Sequence, residues 1–270
     1  MELKIKIYNM KDLRMVATGR PGADASLVYG TAYKEGDCIL VERDDESKYC
    51  VVQLEDSMPP ALIYMDGKRM PFYIPEPDKR SCYSPKSFTG TCHMLRARAA
   101  TEEEIYARRN LAFNPYDCGR ESGCYPHASS SVEAQSSAFA ARNAIDGIFE
   151  NNSHGEWPYQ AWGINKNPEA TWKLDFGRLV TLDELRLTLR ADFPHDNWWN
   201  SVTVEFSDGS KEVLSLVRTE KTQSFPISPR TVSWLELKEL KMAENGSEFP
   251  ALTQFEAYGT EKRQDEETLN

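Results

Sequence analysis

Two stretches of the chain concentrate side chains able to recognise or transform a ligand. After Arg190 comes Ala191-Asp192-Phe193-Pro194-His195-Asp196-Asn197-Trp198-Trp199-Asn200, which sets a cation, carboxylates, an imidazole, amides and two indoles in one short run. About ten residues separate the neighbouring strand patterns where a hairpin needs two to five, so the length is expected to serve a purpose. The run Ser153-His154-Gly155-Glu156-Trp157-Pro158-Tyr159-Gln160-Ala161-Trp162 repeats the mixture. An arginine offers a planar fork to neighbouring hydroxyls, and a carboxylate accepts from them with charge assistance. An aromatic face covers the apolar C–H face of a pyranose. His154, Glu156, Trp157, Arg190, Asp192, His195 and one of Trp198 or Trp199 are therefore the candidate ligand-binding residues. Glu156, Asp192 and Asp196 could instead supply the acid and base of a glycan-processing enzyme, if two carboxyls lie about 5–5.5 Å or about 6.5–9.5 Å apart. His154, His195 and Asp192 could hold a catalytic metal. A third reading makes the Trp-rich loops a grip for a peptide or a partner subunit.

The elements that would carry these loops are strands. Trp172, Leu174 and Phe176 alternate with Lys173 and Asp175; Leu185, Leu187 and Leu189 alternate with Arg186, Thr188 and Arg190; Val202, Val204 and Phe206 alternate with Thr203 and Glu205. Further strands fit Glu212–Val217, Val232–Leu237 and Thr253–Tyr258. Short strands joined by turns such as Asp208-Gly209, without helical periodicity between them, predict an antiparallel sandwich. By the alternation Arg190 faces away from the core, and one of the adjacent indoles Trp198 and Trp199 is expected to be buried.

Ala144-Ile145-Asp146-Gly147, Trp162, Trp172-Lys173-Leu174-Asp175-Phe176-Gly177, Phe206-Ser207-Asp208-Gly209-Ser210 and Phe255-Glu256-Ala257-Tyr258-Gly259 follow one another in the order of a discoidin domain. The segment from about 126 to 260 thus resembles the discoidin (coagulation factor 5/8 type C-like) domains and the family-32 carbohydrate-binding modules. The resemblance implies a galactose-binding-like jelly-roll sandwich that binds a carbohydrate or a glycosylated small molecule without catalysis. It implies that Arg190 and Asn197 or Asn200 hold the sugar, and that Trp162 and Trp172 are core residues. It also implies a structural calcium ion held by Asn143, Asp146, Asn151 or Asn152, and Glu256; hard oxygen donors suit that ion. Ile148-Phe149-Glu150 departs from the family pattern just after the glycine.

Residues 1–112 read as a smaller β-rich unit of unknown type that could serve a protein partner. Leu3, Ile5 and Ile7 alternate with polar residues, and short apolar runs follow at Cys38–Val41, Tyr49–Leu54, Ala61–Met65 and Pro71–Ile74. Asp66-Gly67 between two of them predicts a hairpin. A helix is expected near 102–112, with Thr101 and Glu104 as a capping box, bridging the two units. Residues 113–130, rich in Pro, Gly, Ser and Asn, are expected as the linker, 131–262 as the sandwich, and 263–270 as a frayed tail. The 270 residues carry 32 basic and 42 acidic side chains, net -10, and all six tryptophans lie in the second half. Such an acidic chain repels a phosphate backbone, which argues against nucleic acid. No apolar run approaches the ~18 residues needed for membrane insertion. The charged start lacks the apolar segment of a secretory signal, so a cytoplasmic location is expected. Cys118 and Cys124 could close a small loop, but in that compartment free thiols are expected.

Overall fold

The computed structural model describes residues 2–118, 122–152, 155–193, 196–244 and 247–263. Strand β1 (Leu3–Asn9) realises the opening alternation, with Leu3, Ile5 and Ile7 fully buried. Strands β2 (Arg14–Thr18), β3 (Asp24–Tyr29), β4 (Asp37–Arg43), β5 (Tyr49–Gln53), β6 (Ala61–Met65), β7 (Arg69–Tyr73) and β8 (His93–Ala99) follow. They form two antiparallel sheets, β2-β1-β4-β7 and β6-β5-β8-β3, facing each other across one core. Asp66-Gly67 does not close a hairpin. Strand β6 pairs with β5 while β7 pairs with β4, so the turn carries the chain from one layer to the other. Ile63 and Met65 enter the core from one side, Met70 and Phe72 from the other. Alternation alone does not distinguish these two arrangements.

Helix α1 (Glu102–Tyr106) has the expected capping box: Thr101 Oγ1 accepts from the Glu104 amide at 3.2 Å, and Glu104 accepts from the Thr101 amide at 2.9 Å. It ends well before residue 112, because β9 (Arg109–Asn110) leaves it to pair with the last strand.

Residues 113–130 contribute to both halves. Strand β10 (Cys124–Tyr125) adds to β6, and β11 (His127–Ser130) adds to the long strand Trp172–Arg190 of the second half. Tyr116 and Cys124 belong to the first core, Ala128 to the second. Gly177 admits the Tyr125 ring: its φ is +68°, and a Cβ there would stand 2.5 Å from the ring. Glu261 locks the same junction, accepting from Arg109 and Arg178 at 2.7 and 2.6 Å and from the Tyr49 hydroxyl at 3.0 Å. Burial alone would raise the Glu261 pKa, but the two guanidiniums outweigh it and hold the carboxyl below its ordinary value.

The second half contains β12 (Trp162–Gly163), β13 (Trp172–Arg190), β14 (Trp199–Phe206), β15 (Lys211–Ser215), β16 (Gln223–Met242) and β17 (Ala251–Glu261) in the order β12-β17-β13-β16-β14-β15. Register shifts within β13 at 175–180 and 182–184 bend this sheet, so one long strand serves both layers of a sandwich. Every inward residue expected from the alternation is buried, from Trp172 to Phe206. None of the six cysteines forms a disulfide. Among the described residues no helix is long and apolar enough to cross a membrane.

Candidate functional site

Arg190 is the last residue of β13 and pairs with Ala251, the first of β17, which in turn pairs with Gly163 of β12. This row across three strands lies beside a hollow of about 410 Å³. Phe139, Ile164, Phe249 and Pro250 give the hollow apolar walls, and Asn165, Lys166, Arg190, Asp196 and Glu248 give it polar edges. Lys166 and Glu248 form an ion pair at 3.2 Å, with the ammonium 5.0 Å from the centre of the Phe249 ring. Asn165 and Lys166 both have positive φ, 49° and 61°, and the Asn167 amide donates to the Ile164 carbonyl at 2.9 Å. Two consecutive left-handed side-chain-bearing residues cost on the order of 1–3 kcal/mol each, a strain stored at the rim.

Arg190 does turn out of the hydrophobic core, but it is 5% exposed rather than displayed. Its guanidinium lies against the Tyr159 and Phe193 rings, 5.5 and 5.9 Å from their centres, and Nη1 donates to the Tyr159 carbonyl. Nη2 is buried and has no hydrogen-bond partner among the described residues. A register shift between Thr188 and Leu189 breaks the alternation just before Arg190, and Thr188, Leu189 and Arg190 are all buried; the two rings that cover the guanidinium come from irregular segments and leave no periodic signal.

The other candidates are scattered around this point. Asp196 is buried, lines the hollow, and accepts from the Phe193 amide at 3.0 Å. Asp192 is exposed and accepts from Asn151 Nδ2. Asn197 is fully occupied in holding backbone: Nδ2 donates to the Ala243 and Ser247 carbonyls at 3.2 and 2.7 Å, and Oδ1 accepts from the Trp198 amide. Trp199 is the buried indole of the adjacent pair, 5.9 Å from Trp162 in the core. Trp198 is half-buried, under the Arg218 guanidinium. Glu156 is exposed. Trp157 lines a different hollow of about 350 Å³ between the two halves, with Tyr83, Arg142 and Asp146. His154 and His195 lie outside the described residues. None of Phe139, Asn165, Lys166, Glu248 and Phe249, which line the hollow, was singled out from the sequence; Phe139 ends a short 3-10 helix (Ser137–Phe139) and the others lie in connecting segments, where neither spacing nor motif marks them.

The oxygen cradle implied for calcium is present, but an amide sits in it. Gln254 Nε2 donates to the Asn143 carbonyl and Asp146 Oδ1, both at 2.7 Å, and to the Ile148 carbonyl at 3.2 Å. Gln254 Oε1 accepts from the Gly147 amide at 3.0 Å. Asp146 Oδ1 also accepts from the Ile148 amide, and Oδ2 from Gln160 Nε2 at 3.1 Å. Glu256 points along β17 instead, accepting from the Tyr258 hydroxyl at 3.0 Å. Oxygens that would face an ion face N–H donors, so the residues present do not fit calcium. Burial pushes the Asp146 carboxyl up to about 6, despite Arg142 and these hydrogen bonds.

No family model matches the chain, and no curated protein matches it. Solved structures do. Chitosan-binding module 1 of a chitosanase/glucanase from Paenibacillus sp. IK-5 is similar at 18% identity over 56% of this chain and 99% of that one, with a TM-score of 0.38. A Streptococcus pneumoniae fucose binding module, SpX-3, is similar at 13% identity over 57% and 99%, TM-score 0.40. The family 32 module from C. perfringens NanJ, solved in complex with galactose, is similar at 14% identity over 48% and 91%, TM-score 0.35.

Proposed function

We propose that the second half is a non-catalytic carbohydrate-binding module whose site is the hollow beside Arg190. The observation that carries this reading is a buried arginine, 5% exposed, whose Nη2 has no hydrogen-bond partner among the described residues. Leaving a charged donor buried and unpaired costs on the order of 1–3 kcal/mol or more, a cost that a ligand oxygen at Nη2 removes. The volume falls within the range of about 300–1,000 Å³ typical of small-molecule sites. Phe249, 56% exposed at the rim, offers a face to the apolar side of a sugar ring. Neighbouring hydroxyls would meet Arg190, with Asp196 and Glu248 as acceptors at the edges. A concave site of this size favours a small ligand over a peptide laid on a flat face.

Calorimetric titration with a panel of neutral monosaccharides and disaccharides tests the reading. Binding of at least one sugar, lost in Arg190→Ala and without turnover of the bound sugar, is the expected result. Saturable binding that is unchanged in Arg190→Ala, or no binding by any member at millimolar concentration, would remove it.

A further inference from the structure

A second group of buried, unpartnered polar atoms lies in the first half, far along the chain from Arg190. After β5 the chain turns at Glu55-Asp56-Ser57, opposite the start of β8. Glu55 is 3% exposed; Ser57 Oγ donates to its Oε1 at 3.4 Å, yet Oε2 has no hydrogen-bond partner among the described residues. His93, the first residue of β8, is 2% exposed, and its Nε2 is likewise without a partner among them. The Tyr33 ring covers the imidazole at 4.2 Å between centres, and the Tyr33 hydroxyl is a third buried atom with no partner among the described residues. Asp56 is turned toward the group by the Met94 amide, which donates to its Oδ2 at 3.2 Å. One oxygen each from Glu55 and Asp56 and one ring nitrogen of His93 lie within 4.8 Å of one another.

Three unsatisfied buried atoms in one place cost several kcal/mol together, at roughly 1–3 kcal/mol each. The side chains do not relieve this among themselves, and natural interiors rarely leave such groups orphaned. An ion between them would satisfy the carboxylate and the imidazole at once. We infer that Glu55, Asp56 and His93 form a binding site for a divalent transition-metal ion of the zinc type, with the fourth position open to water or the Tyr33 hydroxyl. The imidazole argues against calcium and magnesium, which take oxygen shells, and three protein ligands with one open position are a recurring zinc arrangement. The ion would pin the turn after β5 and the segment around Tyr33 to the first residue of β8.

The rival ligand is Cys92, exposed and adjacent to His93. The full chain, stripped with a chelator and re-equilibrated with zinc, is passed through a desalting column and its retained metal is measured by mass spectrometry. The expected result is one zinc ion per chain in the wild type and in Cys92→Ser, with affinity falling at least tenfold in His93→Gln and in Glu55→Gln. Cobalt(II) in the wild type should give visible bands of nitrogen and oxygen ligation without a thiolate charge-transfer band. Circular dichroism establishes that each variant is folded; if His93→Gln is not, Glu55→Gln and the cobalt spectrum decide. No retained metal, retention unchanged in folded His93→Gln or Glu55→Gln, or a thiolate band that disappears in Cys92→Ser would overturn the assignment.

Discussion

Asp146 and Arg190 are both buried charges lying outside the hydrophobic core of the same sandwich, and the fold treats them in opposite ways. Around Asp146 both carboxylate oxygens have donors, and Gln254 ties the loop 143–148 to β17 through four hydrogen bonds. Around Arg190, beside an apolar-walled hollow, one arm of the guanidinium is anchored and the other has no partner among the described residues. A fully satisfied polar group specifies architecture, whereas a half-satisfied one costs stability unless a ligand completes it. The difference separates a knot from a socket.

Breaking the knot should have the largest effect. Gln254→Leu strips donors from Asp146 Oδ1 and from the Asn143 and Ile148 carbonyls, and is expected to cost about 3 kcal/mol or more of stability. A shift in urea midpoint equivalent to less than about 1 kcal/mol would put the two regions on a par. The pH dependence sharpens the same point. Because burial raises Asp146 from 3.8 to about 6, the folded chain holds this proton more tightly than the unfolded one. Its contribution is full below pH 4 and is lost as pH rises through 6, about 3 kcal/mol in all. Glu261, held low by its two arginines, slopes the opposite way: its contribution is present above the unfolded carboxylate range and is lost on acidification. The quantity to measure is therefore wild type minus Asp146→Asn across pH 3.5–7, and a flat difference would remove the burial argument.

At the socket the order reverses, with function expected to suffer more than stability. Arg190→Lys keeps a donor for the Tyr159 carbonyl but loses the fork. Sugar affinity should fall tenfold or more, about 1.5–3 kcal/mol for charged hydrogen bonds, while stability changes by less than about 1 kcal/mol. Equal loss of both would make Arg190 another knot. Phe249→Ala removes an exposed ring, so unfolding should move by no more than about 0.5 kcal/mol and affinity should fall several-fold, on the order of 1 kcal/mol. The smallest effect expected is that of calcium. Added at millimolar concentration to metal-free protein, it should shift Tm by less than about 1 °C, since only a ligand bound to the native state stabilises it; a larger rise would show that Gln254 yields to the ion.

The sandwich core was legible because Trp172, Leu174, Phe176, Val202, Val204 and Phe206 follow a strict period of two against charged neighbours. At Arg190 the period fails, because the register shifts between Thr188 and Leu189. Nor could it tell that Tyr159 and Phe193 close over the guanidinium, since those rings come from irregular segments whose geometry depends on long-range packing. Asp146-Gly147 was recognisable as a motif, but the partner that fills its cradle was one position too ordinary to notice: Gln254 shares a strand face with Glu256 and carries no motif of its own. In the first half, Asp66-Gly67 misled because strands that exchange layers and strands that pair have the same local chemistry. His93, Glu55 and Asp56 stayed invisible for a simpler reason: 36 residues of intervening chain separate the imidazole from the nearer carboxylate.

Tyr125 and His127 belong to different sheets although a single proline stands between them. Cutting the gene anywhere near that proline would therefore not liberate two tidy fragments. A break at the proline leaves β10 on the front piece and β11 on the rear piece, but it takes β9 from β17 and Leu111 and Ala112 from the second core, exposing unpaired backbone at Tyr258 and Gly259 that invites self-association. Soluble expression of either half calls for a boundary that leaves residues 109–130 attached to it.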